Sequence, residues 1–233
     1  MAIGAHPDDL EIFAYGTLAA CLDRGDTLHL VVATDGAAGA PKNAATDSRV
    51  GSALAEQRAA ETCTGLAGLG TPRLLGLPDG KLARHDAAAA VIAEEIASAS
   101  PDVILTHDPA DYHPDHRALA RYVADAAGFA VPLLYMDTLM GVGFQPEYYV
   151  DTTAWWPQKE AAIMAHASQQ PGRFVGAAEL LGRFRAGQCN APVGHYAEAW
   201  RSARRFPFAD LRVILPPPPP LRPFYVADSD ALI

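Results

Sequence analysis

Cysteine is scarce in this chain: Cys21, Cys63 and Cys189 are the only three in 233 residues. They are odd in number, widely spaced and never form a C-x-x-C pair, which argues against a disulfide framework or a thiolate metal site. They read as reduced, buried thiols of a cytoplasmic protein. Long apolar runs are missing too, since none approaches the roughly 20 residues of a membrane span. The stretch Met1 to Ala5 lacks the basic start of a secretory leader and reads as a first core strand, with the numbering beginning inside a slightly longer native strand. Positive charge is also short, with 18 Lys and Arg against 27 Asp and Glu and a formal net charge of −9. Neither nucleic acid nor a membrane is therefore an expected partner. The densest basic cluster, Arg201, Arg204 and Arg205, reads as a helix surface.

What is present is a hydrophobic share of 50%, enough to bury a core in a single domain. That domain is taken as residues 1–205, followed by a proline-rich C-terminal extension over 206–233. The five prolines Pro216 to Pro220 favour polyproline II geometry, a rigid spacer or a tail that hugs the surface. Strand-like and helix-like stretches alternate, which predicts an α/β fold with a mostly parallel central sheet covered on both faces. Strands are expected at residues 1–5, 28–34, 73–77, 102–106 and 131–136, with 148–150 as an extension of the sheet. Helices are expected from the first cluster to Arg24, then at 53–66, 87–99, 116–127, 155–168 and 177–188. The second of these places Leu54, Ala59, Cys63 and Leu66 at core spacing.

Chemistry concentrates in two segments, His6-Pro7-Asp8-Asp9-Leu10-Glu11 and His113-Pro114-Asp115-His116. Each follows a strand, and ligands of open parallel sheets bind beyond the carboxyl ends of strands. His6 and Asp9, three apart at a strand-to-helix turn, can aim at one ion, and His116 can complete a His-Asp-His set. Three protein ligands with a fourth position open mark a catalytic metal site, and N/O donors suit Zn²⁺, with another divalent first-row metal as the alternative. Asp8 is then free to accept a proton and His113 to face substrate. Asp115 is expected to orient a ligand imidazole from behind, and Glu11 to support the same shell. Helix capping explains one acidic residue at this turn but leaves His6 unexplained. Asp111 and Tyr112 adjoin the second cluster and are read as substrate contacts.

These motifs make the chain similar to the PIG-L/LmbE-like zinc deacetylases, which remove acyl groups, usually acetyl, from N-acetylglucosamine-type amines. Ala5 to Glu11 match A-H-P-D-D-x-E and His113 to His116 match H-P-D-H. Arg58 and Glu61 give R-x-x-E, Leu77 to Gly80 give L-P-D-G, and Tyr196 to Ala199 give Y-A-E-A. The resemblance spans about residues 1–200 and implies a three-layer, Rossmann-like (LmbE-like) sandwich. It also implies His6, Asp9 and His116 as metal ligands, Asp8 as general base, and His113 as oxyanion stabiliser or acid. Arg58 and Asp79 match positions that contact the sugar. The expected partner is a small N-acylated amine, an amino sugar or its conjugate, with a homo-oligomer left open. A non-sugar amidase and a catalytically silent sugar- or metal-binding domain are the competing readings.

Other residues carry weaker signals. His107, at the end of a strand, lies near the site by position, and His195 adjoins the Y-A-E-A segment. His29 is placed inside the second strand, and His85 and His166 on helical or loop surfaces. Asp35 to Gly39 lacks G-x-G-x-x-G and reads as a substrate-side loop continuing to Ser48. Trp155 and Trp156 read as core or oligomer contacts.

Overall fold

In the computed structural model, residues 1–39, 48–206 and 210–221 are described. Strand β1 (Ala2–Gly4) leads into helices α1 (Asp9–Phe13) and α2 (Tyr15–Asp23), then β2 (Leu30–Thr34), α3 (Ser48–Gly65) and β3 (Arg73–Leu77). Helix α4 (Ala88–Ala99), β4 (Ile104–Thr106), α5 (Pro114–Ala127) and β5 (Leu133–Met136) follow. The last elements are β6 (Tyr148–Asp151), α6 (Trp156–Met164), α7 (Gly172–Gln188) and β7 (Ala197–Ser202). One sheet holds all seven strands in the order β3-β2-β1-β4-β5-β7-β6. The first five are parallel, and β7 runs antiparallel to both β5 and β6.

Alternation along each strand builds the two cores. Ile3, Val31, Ala33, Ile104 and Leu133 pack with Ile92 and Ile96 of α4 and Leu119 and Val123 of α5. Their neighbours Ala2, Leu30, Leu105, Leu134 and Met136 face the other way, against Leu10, Leu18, Ile163 and Ala178 of α1, α2, α6 and α7. Period-two side chains on a sheet buried on both sides give this pattern. The sheet is the middle of three layers. The chain leaves β1 toward β2 and β3, then returns to β4 on the opposite side, so the switch point lies between β1 and β4.

Several expectations need correction. The first helix is two, because Ala14 leaves helical geometry at φ −135°, ψ −8°. The restart is stabilised from far away: the Glu198 carboxylate accepts the N–H groups of Gly16 (2.9 Å) and Thr17 (2.8 Å). The buried face of α3 is polar, with Arg58, Glu61 and Thr62 turned inward and Cys63 exposed. Cys63 is therefore not a buried thiol. Residues 201–205 lie on and beyond β7, not on a helix, with Arg201 paired to Asp108 at 2.6 Å. His29 sits just before β2, its ring 2.7 Å from Glu95.

Trp155 and Trp156 pack against the larger core. Part of the C-terminal extension does so as well: Leu211 and Leu215 join that core, and the Pro217 carbonyl accepts Asp151 N–H at the edge of β6. Residues 40–47 of the second-strand loop, and 207–209 and 222–233 of the extension, lie outside the described residues. Among the described residues no helix is long and apolar enough to cross a membrane.

Glu198 also receives the buried Lys159 ammonium at 2.6 Å. Removing one partner of a buried pair strands the other's charge. Glu198→Ala should therefore lower stability by about 3–5 kcal/mol, read as a fall in the urea midpoint. An unchanged midpoint would show that α2 does not depend on this contact.

Candidate metal centre and active site

The site is built at the sheet's switch point, from the loops that follow β1, β2, β3 and β4. Beyond β1 the chain turns sharply through Pro7 and Asp8 into α1. Asp8 caps this helix at φ 105°, ψ −22°, a left-handed conformation that residues other than glycine seldom adopt. The turn brings the Asp9 carboxylate back to accept the His6 backbone N–H at 2.6 Å. Beyond β4, His113 caps α5 with Pro114 in its first turn, where the missing N–H does no harm. His116 then points from the first turn of α5 into the same crevice.

Donor atoms of three residues converge there, Asp9 turning one oxygen toward each imidazole. His6 Nδ1 lies 3.2 Å from His116 Nε2 and 3.3 Å from Asp9 Oδ2, and His116 Nε2 lies 3.4 Å from Asp9 Oδ1. Tetrahedral ligation at about 2.0–2.1 Å separates ligand atoms by about 3.3 Å, so this set fits zinc. The imidazoles are backed by carboxylates. His116 Nδ1 is 3.0 Å from Asp111 Oδ2, and His6 Nε2 faces Asp79 Oδ1 at 3.2 Å and Asp115 Oδ2 at 3.5 Å. Such partners fix ring orientation and raise ligand basicity.

Among the described residues three groupings have the spacing of a metal site, His6–His113–His116, Asp9–His107–His116 and His6–Asp79–Asp115, and each shares one or two residues with the His6, Asp9 and His116 set. His107 is fully buried, stacked on His116 at 3.7 Å between centroids, with Nε2 accepting the Ala5 N–H and facing Asp9 Oδ2, both at 3.0 Å. No carboxylate stands behind its other nitrogen, which has no partner among the described residues. His6 Nε2 likewise makes no hydrogen bond of good geometry, but two carboxylates lie within 3.5 Å of it and one within 3.0 Å of His116 Nδ1, which distinguishes their set.

The electrostatics follow from burial and proximity. Burial works against ionised Asp9, but His116 and His107 outweigh it and hold the carboxyl well below its usual range. Burial likewise opposes a charged His116, yet Asp9 and Asp111 raise it to about 9. Burial dominates at Asp8 and lifts it to about 7 against the pull of Arg58. It also dominates at His107 and, with His116 alongside, depresses it to about 4. His113 is lowered by burial and by the His6 and His116 rings, 4.6 and 4.7 Å away. Its Nδ1 accepts the Asp115 backbone N–H at 3.3 Å, so the neutral ring carries its proton on Nε2.

Residues assigned to substrate by position or resemblance sit variously. Tyr112 is exposed, its ring 6.4 Å from that of His113. Asp111 is buried and committed to His113 N–H (2.8 Å) and His116. Asp79 is committed to His6 and the Ala38 N–H, and Asp115 also accepts the Gly80 and Leu82 N–H groups. Arg58 is 4% exposed and bonds Asp8 and the carbonyls of Pro7 and Gly36. Glu11, in the middle of α1, is paired at 2.8 Å with His166 and with none of the candidate ligand imidazoles, a correction to its expected place in their supporting shell.

His166 is thus buried, a correction to its surface placement. Its partner is 155 residues away, so no local pattern could reveal it. Glu61 was legible only as a motif member; it holds Ser168 through backbone and hydroxyl at 2.9 and 2.6 Å. Asp35 locks the second loop to the third, accepting the Ala37 and Asp79 N–H groups. His195 pairs with Asp151 at 3.3 Å.

Loss of an outer partner of a ligand histidine typically costs 10–100-fold in metal affinity. Asp111→Ala should weaken zinc binding by about that factor in a chelator competition titration. Affinity equal to the unaltered protein's would mean that Asp111 does not orient His116.

Comparison with known proteins agrees with this geometry. The 1D-myo-inositol 2-acetamido-2-deoxy-alpha-D-glucopyranoside deacetylase of Nakamurella multipartita is 29% identical over 292 aligned residues, covering 99% of this chain and 94% of the relative. Among solved structures, GalB, the 4-carboxy-2-hydroxymuconate hydratase of Pseudomonas putida KT2440, superposes with a TM-score of 0.74 at 19% identity, over 89% of this chain and 96% of its own. The N,N'-diacetylchitobiose deacetylase of Pyrococcus horikoshii gives a TM-score of 0.72 at 24% identity, over 90% and 87%. A hydratase and a deacetylase on one fold show that the fold alone does not name the reaction. The family described as PIG-L, GlcNAc-PI de-N-acetylase, matches residues 1–127, which include every residue of the cluster around His6, Asp9 and His116, and this chain belongs to that family.

Proposed function

We propose that the protein is a zinc-dependent deacetylase that hydrolyses the N-acyl, most simply N-acetyl, amide of an amino sugar or its conjugate. The observation that carries the reading is the convergence of His6 Nδ1, Asp9 and His116 Nε2 at 3.2–3.4 Å. Asp8 lies between His6 and Asp9 in the sequence, the His113 ring is 4.6 and 4.7 Å from those of His6 and His116, and neither need bind the metal. The family description and the Nakamurella relative both concern N-acetylated glucosamine compounds, which supports the substrate class. The three free thiols suit the cytoplasm.

When bound, zinc supplies Lewis acidity that polarises the amide carbonyl and acidifies a water. The remaining work falls to this chain's side chains. Asp8 accepts the proton of the attacking water; a buried carboxyl with a pKa of about 7 is matched to that task near neutrality. His113 presents Nε2–H toward the crevice from its half-buried position, where it can donate to the oxyanion or pass a proton to the departing amine. The products are the free amine and the carboxylate, acetate in the simplest case. Asp111, Asp79 and Asp115 hold the ligand imidazoles in place.

The test is amine release from N-acetylglucosamine conjugates by zinc-loaded and chelator-stripped protein. Release should require the metal, and no release from any N-acyl sugar or N-acyl amine would defeat the proposal. Asp8→Asn should retain zinc and lose about 10²–10⁴-fold in kcat. His113→Ala should lose about 10²–10³-fold, the usual effect of deleting an oxyanion donor. Unchanged kcat in either variant would remove that residue from its role.

A further inference from the structure

The segment after β4 carries Asp111, His113 and His116, and its shape depends on Asp108 at its start. The Asp108 carbonyl accepts the Asp111 N–H at 3.0 Å, and Asp108 Oδ1 accepts the Ala110 N–H at 2.7 Å. This closes a turn that aims the Asp111 carboxylate at the His113 N–H and at His116 Nδ1. Arg117 of α5 supports the far side of the turn, donating to the carbonyls of Asp111 and Tyr112 at 2.8 and 2.6 Å. Asp108 is buried, and its charge is met from the last strand of the sheet. Arg201 of β7 spans the carboxylate with two bonds, Nε to Oδ2 at 2.6 Å and Nη2 to Oδ1 at 2.8 Å. The guanidinium is itself fixed, because Arg201 stands opposite Tyr135 in the sheet and its Cζ lies 5.3 Å from the centre of that ring. Among the described residues, the other hydrogen-bond partners of Asp108, Asp111 and Tyr112 lie within residues 108–117.

We infer that Arg201 is a positioning residue of the active site: through Asp108 it holds the turn from which Asp111 orients His116 and fixes His113. This rests on the reading of His6, Asp9 and His116 as the zinc ligands. Arg201 lies beyond residues 1–127, the part matched by the family, so β7 supports the catalytic segment from outside that part. A bidentate fork stacked on an aromatic ring fixes a carboxylate in two directions, which a lysine's ammonium does not reproduce. Without it the Asp108 charge would be buried with only a backbone N–H to meet it.

Positioning and a role in stability alone separate in zinc affinity, read by chelator competition on the full chain. Arg201→Ala should weaken zinc binding by about tenfold, the lower end of what losing an outer partner of a ligand histidine costs. Arg201→Lys should fall between that variant and the unaltered protein. In an Asp111→Ala background Arg201→Ala should weaken binding no further, because residues acting through one another are not additive. Unchanged affinity beside a lowered urea midpoint, or equal losses in both backgrounds, would overturn the inference. If Arg201→Ala fails to fold, Asp108→Asn combined with Arg201→Ala removes the stranded charge and decides by the same comparison. Imidazole nitrogen NMR of the metal-free protein gives a second readout. The His116 Nδ1 signal should report a bond to Asp111 in the unaltered chain and its loss in Arg201→Ala; an unchanged signal would sink the inference whatever the metal. Neither measurement uses a substrate, so a failure to release amine would defeat the deacetylase reading and leave this test standing.

Discussion

Four buried carboxylates, those of Asp8, Asp9, Asp111 and Asp115, and the half-buried Asp79 crowd one crevice, and the molecule is arranged to make that tolerable. Ionised groups taken out of water are strongly unfavourable unless paired and hydrogen-bonded. Here Asp9, Asp79, Asp111 and Asp115 each accept a backbone N–H from a strand-end loop, and each also faces an imidazole. The bonds that solvate the charges therefore also stitch the loops together. Asp115 of α5 holds the turn after β3, and Asp79 of that turn holds the loop after β2. Asp8 is held by Arg58 of α3. Concentrated negative charge around imidazoles is the electrostatic condition for a dication, and the same network sets the mutual positions of the four loops.

How far this was readable from the sequence depends on the reach of each interaction. The five parallel strands and the helices α4 and α5 follow from periodic apolar spacing, a local property, and their bounds shift by only a residue or two. Strand β7 was invisible because Ala197, Glu198 and Ala199 are poor strand formers on their own. They pair because β5 and β6 offer edges to them. The break between α1 and α2 was equally hidden, since the carboxylate that caps α2 comes from Glu198 in that same strand. The candidate ligand residues His6, Asp9 and His116 were legible as motifs. Their supporting shell was less so: Asp79 and Asp111, marked for substrate, are turned toward imidazoles in the structure, and of the two residues expected behind the ligands, Asp115 faces His6 while Glu11 pairs with His166.

Helix α3 shows why pattern reading fails closest to chemistry. An amphipathic rule assigns its inner face to Leu54, Ala59, Cys63 and Leu66, yet Arg58, Glu61 and Thr62 are the buried side chains around its middle. The helix faces the active-site loops, not only the core, so its inward residues are selected for partners and not for transfer from water. Glu61 holds the turn at Ser168, and Arg58 holds the Pro7–Asp8 peptide. A polar stripe on the wrong side of a helix is then itself a signal. It says that the helix packs against a site, and the R-x-x-E spacing puts both anchors on one side of it.

The strain at Asp8 gives this arrangement a direction. A non-glycine residue held at φ 105° costs on the order of 1–3 kcal/mol and persists only where the surroundings over-determine it. Three contacts do so here: Arg58 on the preceding carbonyl, Arg58 on the carboxylate, and the Ile12 N–H on the Asp8 carbonyl at 2.9 Å. A glycine would relieve the strain but carries no carboxylate. The turn thus accepts an unfavourable backbone between two members of the cluster, His6 and Asp9, and Arg58 and Gly36 are fitted to it, the guanidinium on the Pro7 carbonyl and the Asp8 carboxylate and the glycine leaving room for that guanidinium.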